Sequence, residues 1–523
     1  MSPIILAPNR RALIGGLAAG VAAPAVVRAQ ALFQQTPFQL GVASGDPSPD
    51  GFVIWTRLAP RPLELHSGMP MTTVPVQWEV ATDDRFKDVA AKGEALARPE
   101  LGHSVHVEVA GLQPNRPYWY RFIAGRDRSY AARARPLPLP GEKLDRLRFV
   151  AAGCQNWEAG YFTAYRRIAA EPDVDFLWHY GDYIYEGRDG GGPVMDHGLP
   201  VQQVRRHWAD EPYSLDDYRA RYAQYKSDLD LQAAHAAHTW WVTWDDHETD
   251  NNWAGDHDQD GTPPEIFNLR RQAAAQAYYE NMPLRRSSFP HGTAIQIFRR
   301  AAYGDLLDCH FLDTRQFRDD QPCDDNIKPV CKEALAPNRT IMGAEEEKWL
   351  FDGLAKGTRR WNLIANQVMM MPLDRREKGE PGEIWNMDSW AGYPAARQRL
   401  MDHVQARGVK NIVVTTGDEH QHYAGEIRTK GKEGAALMTE FVGTSISSGG
   451  DGQDVSPGYA IIRDKNPQCP FISSQRGYVV HEVGRDHWRA DMKVMDKVRE
   501  PGGTLTVRKS FAVERGEPGL KPV

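Results

Sequence analysis

No segment beyond residue 30 is long and apolar enough to span a bilayer, which excludes a protein built from membrane-spanning helices. The chain also lacks an excess of positive charge, with 63 Lys and Arg residues, 69 Asp and Glu residues and a formal net charge of -6. Binding to nucleic acid through a general basic field needs the opposite balance, so no specific nucleic-acid binding is expected. Internal repeats and low-complexity segments are absent too, which excludes solenoids and arrays.

Cysteine is scarce, with five residues in the whole chain. An odd number leaves at least one cysteine without a disulfide partner. Cys323 and Cys331 flank a short polar loop that contains proline, and we predict a disulfide between them. Cys309 lies in an apolar stretch and is predicted to be an inert core thiol, whereas Cys154 belongs to the polar pattern described below.

The composition is that of a globular protein, with 523 residues, 41% of them hydrophobic, which predicts two or three domains. The first thirty residues stand apart. Asn9-Arg10-Arg11 precedes an apolar, small-residue run from Ala12 to Val27, and Val27-Arg28-Ala29 then forms a small-x-small cleavage pattern. This order predicts a twin-arginine signal peptide over residues 1–30, with an ordinary secretory signal or an N-terminal anchor as alternatives. We therefore expect a periplasmic or secreted protein that uses the twin-arginine export machinery.

Residues 31–140 are predicted to form an all-β domain and its linker. Apolar residues occupy every second position from Val74 to Val80, and Gly, Pro and Asp turns separate such runs. Leu112-Gln113-Pro114 followed by Tyr118 is similar to the corner of an immunoglobulin or fibronectin-III sandwich, where a tyrosine bonds back to the preceding turn. A proline-rich stretch then leads to the next domain.

Residues 141–523 alternate apolar strands with helical patterns, which predicts an α/β domain with parallel strand pairing. Polar clusters follow the predicted strands directly, and such strand ends are where α/β folds bind ligands. The clusters are Gly153-Cys154-Gln155, Gly181-Asp182-Tyr183-Ile184-Tyr185-Glu186, Trp244-Asp245-Asp246-His247-Glu248 and Gly417-Asp418-Glu419-His420-Gln421-His422.

These residue types suit metal-assisted phosphate hydrolysis, in which two metals clamp the phosphoryl oxygens and need a bridging carboxylate. The spacing of Asp182 and Tyr185 lets one loop present a carboxylate and a phenolate together. Phenolate and thiolate favour a Lewis-acidic transition metal such as Fe³⁺, whereas carboxylate and amide oxygens favour Ca²⁺ or Mg²⁺. A covalent serine intermediate is not expected, because no serine lies in such a cluster.

The ordered motifs resemble those of the calcineurin-like and purple-acid-phosphatase-like metallophosphoesterases, and the variant is most similar to the alkaline phosphatase D (PhoD) family. The resemblance spans about residues 38–455 and extends to further matching stretches. These are Phe38 to Pro47, Leu312-Asp313-Thr314-Arg315-Gln316 and Asn366-Gln367-Val368. It implies a four-layer α/β (α+β) metallophosphoesterase sandwich, preceded by the all-β domain.

The resemblance also implies a role for each site residue, with Fe³⁺ and one or two Ca²⁺ ions as cofactors. Metal ligands would be Cys154, Asp182, Tyr185, Asp246, Asn366, Asp418 and His420, with Asp182 bridging and Asn366 the weaker candidate. His247 would stabilise charge or protonate the leaving oxygen, and Arg270 or Arg271 would grip phosphate.

The function expected from these residues is an exported, metal-dependent phosphoesterase acting on monoesters, diesters or both. A phospholipase D-like phosphodiesterase is the alternative within the same chemistry, with phospholipid head groups in place of small phosphate esters. A non-catalytic surface binding protein that functions through the β-domain is the alternative outside it. We expect a monomer.

Overall fold

The structure is a computed structural model that describes residues 33–187, 194–196, 199–201, 203–376, 382–455 and 457–523. The predicted signal peptide therefore lies outside the described residues. The helices are α1 (Thr163–Ala169), α2 (Leu215–Lys226), α3 (Leu229–Ala237), α4 (Pro264–Asn281), α5 (Gly343–Lys356), α6 (Pro394–Arg407) and α7 (Pro457–Lys465).

Strands supply most of the regular structure. They are β1 (Val42–Ser48), β2 (Gly51–Arg57), β3 (Val74–Ala81), β4 (Val89–Ala97), β5 (Ser104–Val109), β6 (Tyr118–Ala124), β7 (Asp127–Arg128), β8 (Ala132–Ala134), β9 (Arg146–Ala152), β10 (Phe176–His179), β11 (Val194–Asp196), β12 (Leu199–Val201), β13 (Trp240–Val242), β14 (Arg299–Tyr303), β15 (Leu307–Phe311), β16 (Ile327–Pro329), β17 (Trp361–Ala365), β18 (Ile384–Asn386), β19 (Ile412–Thr416), β20 (His422–Lys430), β21 (Glu433–Val442), β22 (Phe471–Ser473), β23 (Gly477–Gly484), β24 (His487–Met495), β25 (Leu505–Glu514) and β26 (Glu517–Pro522).

Two large mixed sheets form the body of the protein. The first has ten strands in the order β26-β25-β24-β23-β9-β10-β13-β1-β2-β5, and the second has seven in the order β14-β15-β17-β19-β21-β20-β22. β9, β10 and β13 run parallel to one another, as do β15, β17, β19 and β21. Parallel pairing gathers the carboxyl ends of these strands at a common edge of each sheet, which is where the predicted polar clusters begin.

Alternating side chains bury both faces of the central strands. From β9, Phe149 and Ala151 enter a core shared with β15, β17 and β19 of the other sheet, whereas Val150 and Ala152 pack with residues of α1, α2 and α4. On the second sheet, residues of β17 and β19 pack with α5 and α6. Strands buried on both faces are typical of parallel sheets covered by helices, and this agrees with the apolar runs in the sequence.

The N-terminal residues form two sheets rather than one isolated unit. β4-β3-β6-β7, with β8 on β6, make a five-stranded sheet, while β1, β2 and β5 extend the ten-stranded sheet through parallel pairing of Gly45 with Trp240. The predicted corner is confirmed, because the Gln113 N–H donates to the Tyr118 hydroxyl at 2.9 Å. The β-strand predicted at 74–80 is also confirmed, as β3.

Three sequence predictions have clear outcomes. The Cys323–Cys331 disulfide is confirmed, with the two Cα atoms 5.8 Å apart, and Cys309 is a buried free thiol. The sequence pattern from Tyr218 to His238 predicts one continuous helix, and this prediction is wrong. α2 ends at Lys226, and Asp228 caps α3 by accepting from the Asp230 and Leu231 N–H groups. No helix within the described residues has the length and apolarity that crossing a bilayer requires.

Candidate metal centre

The predicted clusters converge where the parallel strands of the two large sheets end. Cys154 follows β9, Asp182 follows β10, Asp246 follows β13 and Asp418 follows β19. Backbone bonds hold the first two turns together, since the Cys154 N–H donates to the Gly181 carbonyl and the Gln155 N–H to the Asp182 carbonyl, each at 3.0 Å. Residues far apart in sequence thereby form one cluster.

Several of these residues adopt backbone conformations that are rare for non-glycine residues. Cys154, Asp182, Asp418 and His420 all lie in the left-handed region, with φ between 53° and 66°. Each such residue costs about 1–3 kcal/mol, and such strain clusters at functional sites. Its occurrence at four predicted ligands indicates that the turns are shaped to aim these side chains rather than to minimise local energy.

One side of the cluster combines sulfur, phenol, imidazole and carboxylate. Ligand atoms of Cys154, Asp182 and His420 all lie within 4.8 Å of one another. The Tyr185 hydroxyl donates to Asp182 Oδ2 at 2.8 Å and lies 2.9 Å from His420 Nε2. The four residues predicted for the iron position are therefore in mutual reach.

The second side is rich in carboxylates. Atoms of Asp182, Asp246 and His247 lie within 4.8 Å of one another, and so do atoms of Asp245, Asp246 and Asp418. Asp182 belongs to both sides and Asp246 links the two carboxylate groups. Asp182 is therefore placed where a bridging ligand would have to lie.

His247 has a fixed orientation at the rim of this cluster. Its Nδ1 lies 2.6 Å from Glu186 Oε2, and the ring packs on Tyr185 with centroids 4.0 Å apart. The remaining oxygen of Glu186 accepts from the Asn251 N–H at 2.8 Å. Burial opposes the charged form of His247, but Glu186, Asp246 and Asp182 outweigh it and raise the pKa of His247 well above its ordinary value.

Arg315 is the buried cation on the carboxylate side. Its Nε donates to Asp245 Oδ1 at 2.6 Å, and its two terminal nitrogens donate to Asp388 at 2.7 and 2.8 Å. The guanidinium is also 3.9 Å from Asp246 and 3.8 Å from Asp418. Arg315 thus neutralises mainly Asp245 and Asp388. Asp246 and Asp418 lie beyond hydrogen-bond distance of its guanidinium and are neutralised by it less.

The Glu248 carboxylate joins the turn after β10 to the turn after β13. It accepts from the backbone N–H groups of Asp182, Tyr183 and Asp245 at 3.2, 2.6 and 2.8 Å. The Asn252 N–H donates to Asp246 Oδ2 at 2.8 Å, and the Asn252 amide donates to Asp325 in the disulfide loop at 2.6 Å. Glu248 thus fixes the backbone of two turns, and the Asn252 backbone fixes the Asp246 carboxylate.

The charges in the cluster shift several pKa values. Burial and then the charge of Asp182 raise the pKa values of the Cys154 thiol and the Tyr185 phenol well above their ordinary values. Burial also raises the pKa of Asp418, and nearby Asp245 and Asp388 add to the effect. Burial alone would raise the pKa of Asp246, but His247 and Arg315 hold it below its ordinary value. A cation bound to these groups would favour the deprotonated forms.

The site residues fit metal binding by a test that is independent of the motifs. Asp182 Oδ1, Asp246 Oδ1 and Asp245 Oδ2 are buried oxygens without a hydrogen-bond partner among the described residues. Buried carboxylate oxygens without partners are costly unless a cation or water satisfies them. Their position between the thiol and the other carboxylates makes a cation the fitting partner.

Asn366, Arg270 and Arg271, the other residues predicted for the site, have no hydrogen bond to a predicted metal ligand in the part of the chain that the structure describes. Asn366 is buried and its Oδ1 accepts from the Trp390 indole at 3.1 Å, while its Nδ2 has no partner among the described residues. Arg270 bonds to Tyr218, Glu211 and Asp250. Arg271 bonds to Asn268 at 2.9 Å and lies over the Trp253 ring. Their contacts with described residues bring neither arginine to a predicted metal ligand.

Sequence reasoning did not assign a site role to Glu186, Glu248, Arg315 or Asp388. Glu186 and Glu248 belong to clusters already singled out, so proximity in sequence could have suggested them. Arg315 follows β15 as the other polar clusters follow their strands, and the same rule could have found it. Asp388 follows a short strand in a loop, and no local pattern distinguishes it.

The chain is similar over most of its length to known proteins and family models. A family model described as "PhoD-like phosphatase" matches residues 149–492, and one described as "PhoD-like phosphatase, N-terminal domain" matches residues 22–138. The chain is 45% identical over 499 residues to alkaline phosphatase D of Bacillus subtilis (strain 168), across 95% of this chain and 84% of that protein. A solved structure of PhoD matches with a TM-score of 0.90 at 44% identity, across 94% of this chain and 93% of that chain.

Proposed function

The chain belongs to the PhoD-like phosphatase family and is a phosphatase enzyme, and on that premise we propose that it is an exported, metal-dependent phosphoesterase. Its substrates are phosphate monoesters, diesters or both. One observation carries the metal dependence: a thiol, a phenol and an imidazole meet the Asp182 carboxylate, which also belongs to a second group with Asp246 and His247.

The two sides of the cluster suit different cations. Cys154, Tyr185 and His420, with Asp182, would hold Fe³⁺, since soft and phenolic donors favour a Lewis-acidic transition metal. Asp246 and Asp418, with Asp182 shared and Asn366 as a weaker ligand, would hold Ca²⁺, and a second Ca²⁺ belongs to the same proposal. When bound, these cations supply Lewis-acid stabilisation of the charge that develops on the phosphoryl oxygens.

His247 is proposed to protonate the leaving oxygen or to stabilise its charge. Glu186 occupies Nδ1, so Nε2 is the ring nitrogen left for the substrate, and it has no hydrogen-bond partner among the described residues. The imidazole side chain is 17% exposed, compared with 1% for Asp182, which places it on the open side of the cluster. A group held in this way can act on a substrate without reorganising.

A phosphate-gripping role for Arg270 or Arg271 remains part of the proposal. Arg270 is the better candidate, because its ion pair with Asp250 places it beside the loop that continues from His247. Arg270 would have to give up contacts with Tyr218, Glu211 or Asp250 to bind phosphate. The same contacts hold the loop that carries Asp250, so the arginine can serve either to hold this loop or to bind phosphate.

The proposal includes the wider organisation predicted from the sequence. A twin-arginine signal over 1–30, a β-sandwich domain over 31–140 and a catalytic domain over 141–523 give a monomeric periplasmic or secreted enzyme. The helix and sheet cores described above support a four-layer catalytic sandwich. The Tyr118–Gln113 corner supports an immunoglobulin- or fibronectin-III-like N-terminal domain.

A phospholipase D-like phosphodiesterase is the second candidate. The exposed aromatic ring of Tyr213 stacks on Arg270, with the guanidinium carbon 4.4 Å from its centroid, on the Asp250 side of the site. An apolar surface in this position would suit the alkyl part of a phospholipid better than it would suit free phosphate. Small phosphate esters remain the preferred substrate class in this proposal, because the proposed metal ligands would contact only the phosphoryl group of a substrate.

The direct test is release of p-nitrophenol from mono- and bis-(p-nitrophenyl) phosphate by the mature protein at alkaline pH, with and without Ca²⁺. The ratio of the two rates ranks monoesterase against diesterase activity. Asp182→Asn should lower kcat/KM by about 10³-fold, equivalent to several kcal/mol of lost metal assistance. Asp352→Asn, on the exposed face of α5, is the matched control and should leave it unchanged. No turnover of either ester by metal-replete protein would refute the proposal.

A further inference from the structure

The loop 443–450, which follows β21, packs directly against the turn that carries Cys154. The Ile446 N–H donates to the Gly153 carbonyl at 2.9 Å, and the Ser447 hydroxyl donates to the Asn156 carbonyl at 2.7 Å. The three serines of this loop are all buried, namely Ser445, Ser447 and Ser448. The loop is rigidly joined to the proposed iron side of the site without supplying a predicted ligand.

Ser448 is the residue of this loop that reaches a ligand atom. Its hydroxyl oxygen lies 2.7 Å from the Tyr185 oxygen and 2.9 Å from the Cys154 carbonyl. The Asn156 N–H donates to the same hydroxyl oxygen at 3.2 Å. A serine hydroxyl has one proton, so it can donate to Tyr185 or to the Cys154 carbonyl but not fully to both.

Counting protons decides between these two acceptors. The Tyr185 hydroxyl uses its own proton on Asp182, so Ser448 is the one hydroxyl among the described residues that can donate to the Tyr185 oxygen. His420 Nε2 lies 2.9 Å from the same oxygen, but it is itself a proposed iron ligand and then carries no proton to donate. The Cys154 carbonyl already faces the Ser447 and Ser448 N–H groups at 3.5 and 3.4 Å. Once the Tyr185 oxygen carries negative charge as a ligand, a charge-assisted bond to it is about twice as strong as one to a neutral carbonyl.

We propose that Ser448 is a positioning residue that donates a hydrogen bond to the Tyr185 oxygen and so sets how strongly this oxygen gives electron density to iron. The inference rests on the proposed function, in which Tyr185 is an iron ligand. Hydrogen bonds to ligand atoms from residues around a metal are a recognised means of tuning it. Ser448 contributes no ligand atom and need not contact substrate.

The consequence has a definite sign. A hydrogen bond withdraws electron density from a phenolate, which raises the energy of its charge transfer to Fe³⁺. Removing the donor should move the visible absorption band to longer wavelength. It should also lower the reduction potential of the iron, because a more electron-rich phenolate stabilises Fe³⁺ over Fe²⁺.

The experiment compares Ser448→Ala with Ser447→Ala in the full mature chain loaded with Fe³⁺ and Ca²⁺. Ser447 is the matched control, because its hydroxyl bonds to the Asn156 carbonyl and not to a ligand. We expect equal iron content in both variants, a band at longer wavelength only in Ser448→Ala, and the wild-type band in Ser448→Thr, which keeps the hydroxyl. An unshifted band in iron-loaded Ser448→Ala would overturn the inference.

A second measurement needs no substitution and covers the case in which Ser448→Ala does not fold. In the wild type, the resonance-enhanced phenolate C–O vibration should shift when the protein is transferred to D₂O, because the donated proton becomes a deuteron. A vibration that does not shift would overturn the inference while leaving Tyr185 as a ligand. Iron-loaded wild type without any phenolate band would instead refute the proposed iron site, and the inference with it.

Discussion

At the residue scale, the site is defined by how its buried carboxylates are neutralised. Arg315 is fully buried and its strongest bonds go to Asp245 and Asp388, so those two acids are compensated by the protein itself. Asp245 Oδ2, Asp182 Oδ1 and Asp246 Oδ1 all lack a hydrogen-bond partner among the described residues, but Asp245 shares its charge with a bonded guanidinium, whereas Arg315 stays 3.9 Å from Asp246. Asp182 and Asp246 are therefore the less compensated of these acids. Because an uncompensated buried charge is strongly destabilising, these two residues are where bound cations would stabilise the fold most.

Glu186 gives the first residue-scale prediction. Glu186→Gln removes the carboxylate that orients His247, and we expect kcat to fall about 10- to 100-fold, as for other residues that orient groups around a metal. KM should change little, because the Glu186 carboxylate bonds to His247 and to the Asn251 N–H, and neither residue is a predicted metal ligand. The measurement is steady-state hydrolysis of p-nitrophenyl phosphate.

The control for that variant is Glu347→Gln, which breaks an ion pair with Arg399 between α5 and α6. It should leave kcat at the wild-type value. An unchanged kcat in Glu186→Gln would show that the bond to His247 has no role in turnover.

At the scale of elements, the strand-end turns determine whether the site forms. Gly181 has φ of 126°, and a Cβ there would clash with Asp245. Gly181→Ala should therefore cost about 4 kcal/mol of stability through backbone strain and overpacking, and should reduce metal binding. Thermal unfolding and metal analysis of the purified variant measure both effects.

Gly187 provides a control from the end of the same loop. It is exposed, and a Cβ added there meets no atom within 4 Å. Gly187→Ala should retain wild-type stability and metal content. Equal behaviour of the two alanine variants would contradict the account of the turn.

β21 gives a prediction about pH. Burial, which outweighs the bonds from the Met370 and Met371 N–H groups, raises the pKa of Glu440 from its ordinary 4.5 to about 7. Between these values the folded protein keeps a proton that the unfolded chain releases, so raising the pH destabilises the fold. The urea midpoint of the wild type should fall from pH 5 to pH 8 by more than that of Glu440→Gln. Equal falls would contradict the prediction.

Local patterns predicted the elements and their turns, but not how far each element extends. Polar clusters directly after apolar strands pointed to the turns of Cys154, Asp182 and Asp418, because strand and turn are consecutive in sequence, and the family resemblance supplied their roles as ligands. The break between α2 and α3 was missed, because apolar residues recur at helical spacing on both sides of Ser227 and Asp228. Ser227 ends α2 and the Asp228 side chain caps the start of α3. Asp388 was not assigned, because its role comes only from pairing with Arg315 and Arg318, which lie about 70 residues away in sequence.

At the scale of the whole molecule, the N-terminal segment and the catalytic core share a sheet. β1 pairs with β13, the Trp55 indole donates to the Glu280 carbonyl at 2.9 Å, and Arg299 pairs with Asp46 at 2.8 Å. The sequence predicted the strands of residues 31–140 but not this continuity, because pairing of segments almost two hundred residues apart leaves no local pattern.

That continuity predicts cooperative unfolding. The mature protein should show one thermal transition by calorimetry, because unfolding the N-terminal strands exposes the edge of β13 and leaves Arg299 without its partner. A chain that begins at residue 141 should be insoluble or much less stable. Two separate transitions, with the shorter chain as stable as the later one, would show that the segments unfold independently.

The central claim is that the buried cluster binds the cations that phosphoester hydrolysis requires. The most direct measurement is the metal content of purified mature protein, determined together with its turnover of p-nitrophenyl phosphate before and after chelation. The account predicts bound iron and calcium, loss of turnover in proportion to their removal, and recovery when Fe³⁺ and Ca²⁺ are returned. Full turnover by protein from which all metal has been removed would contradict it.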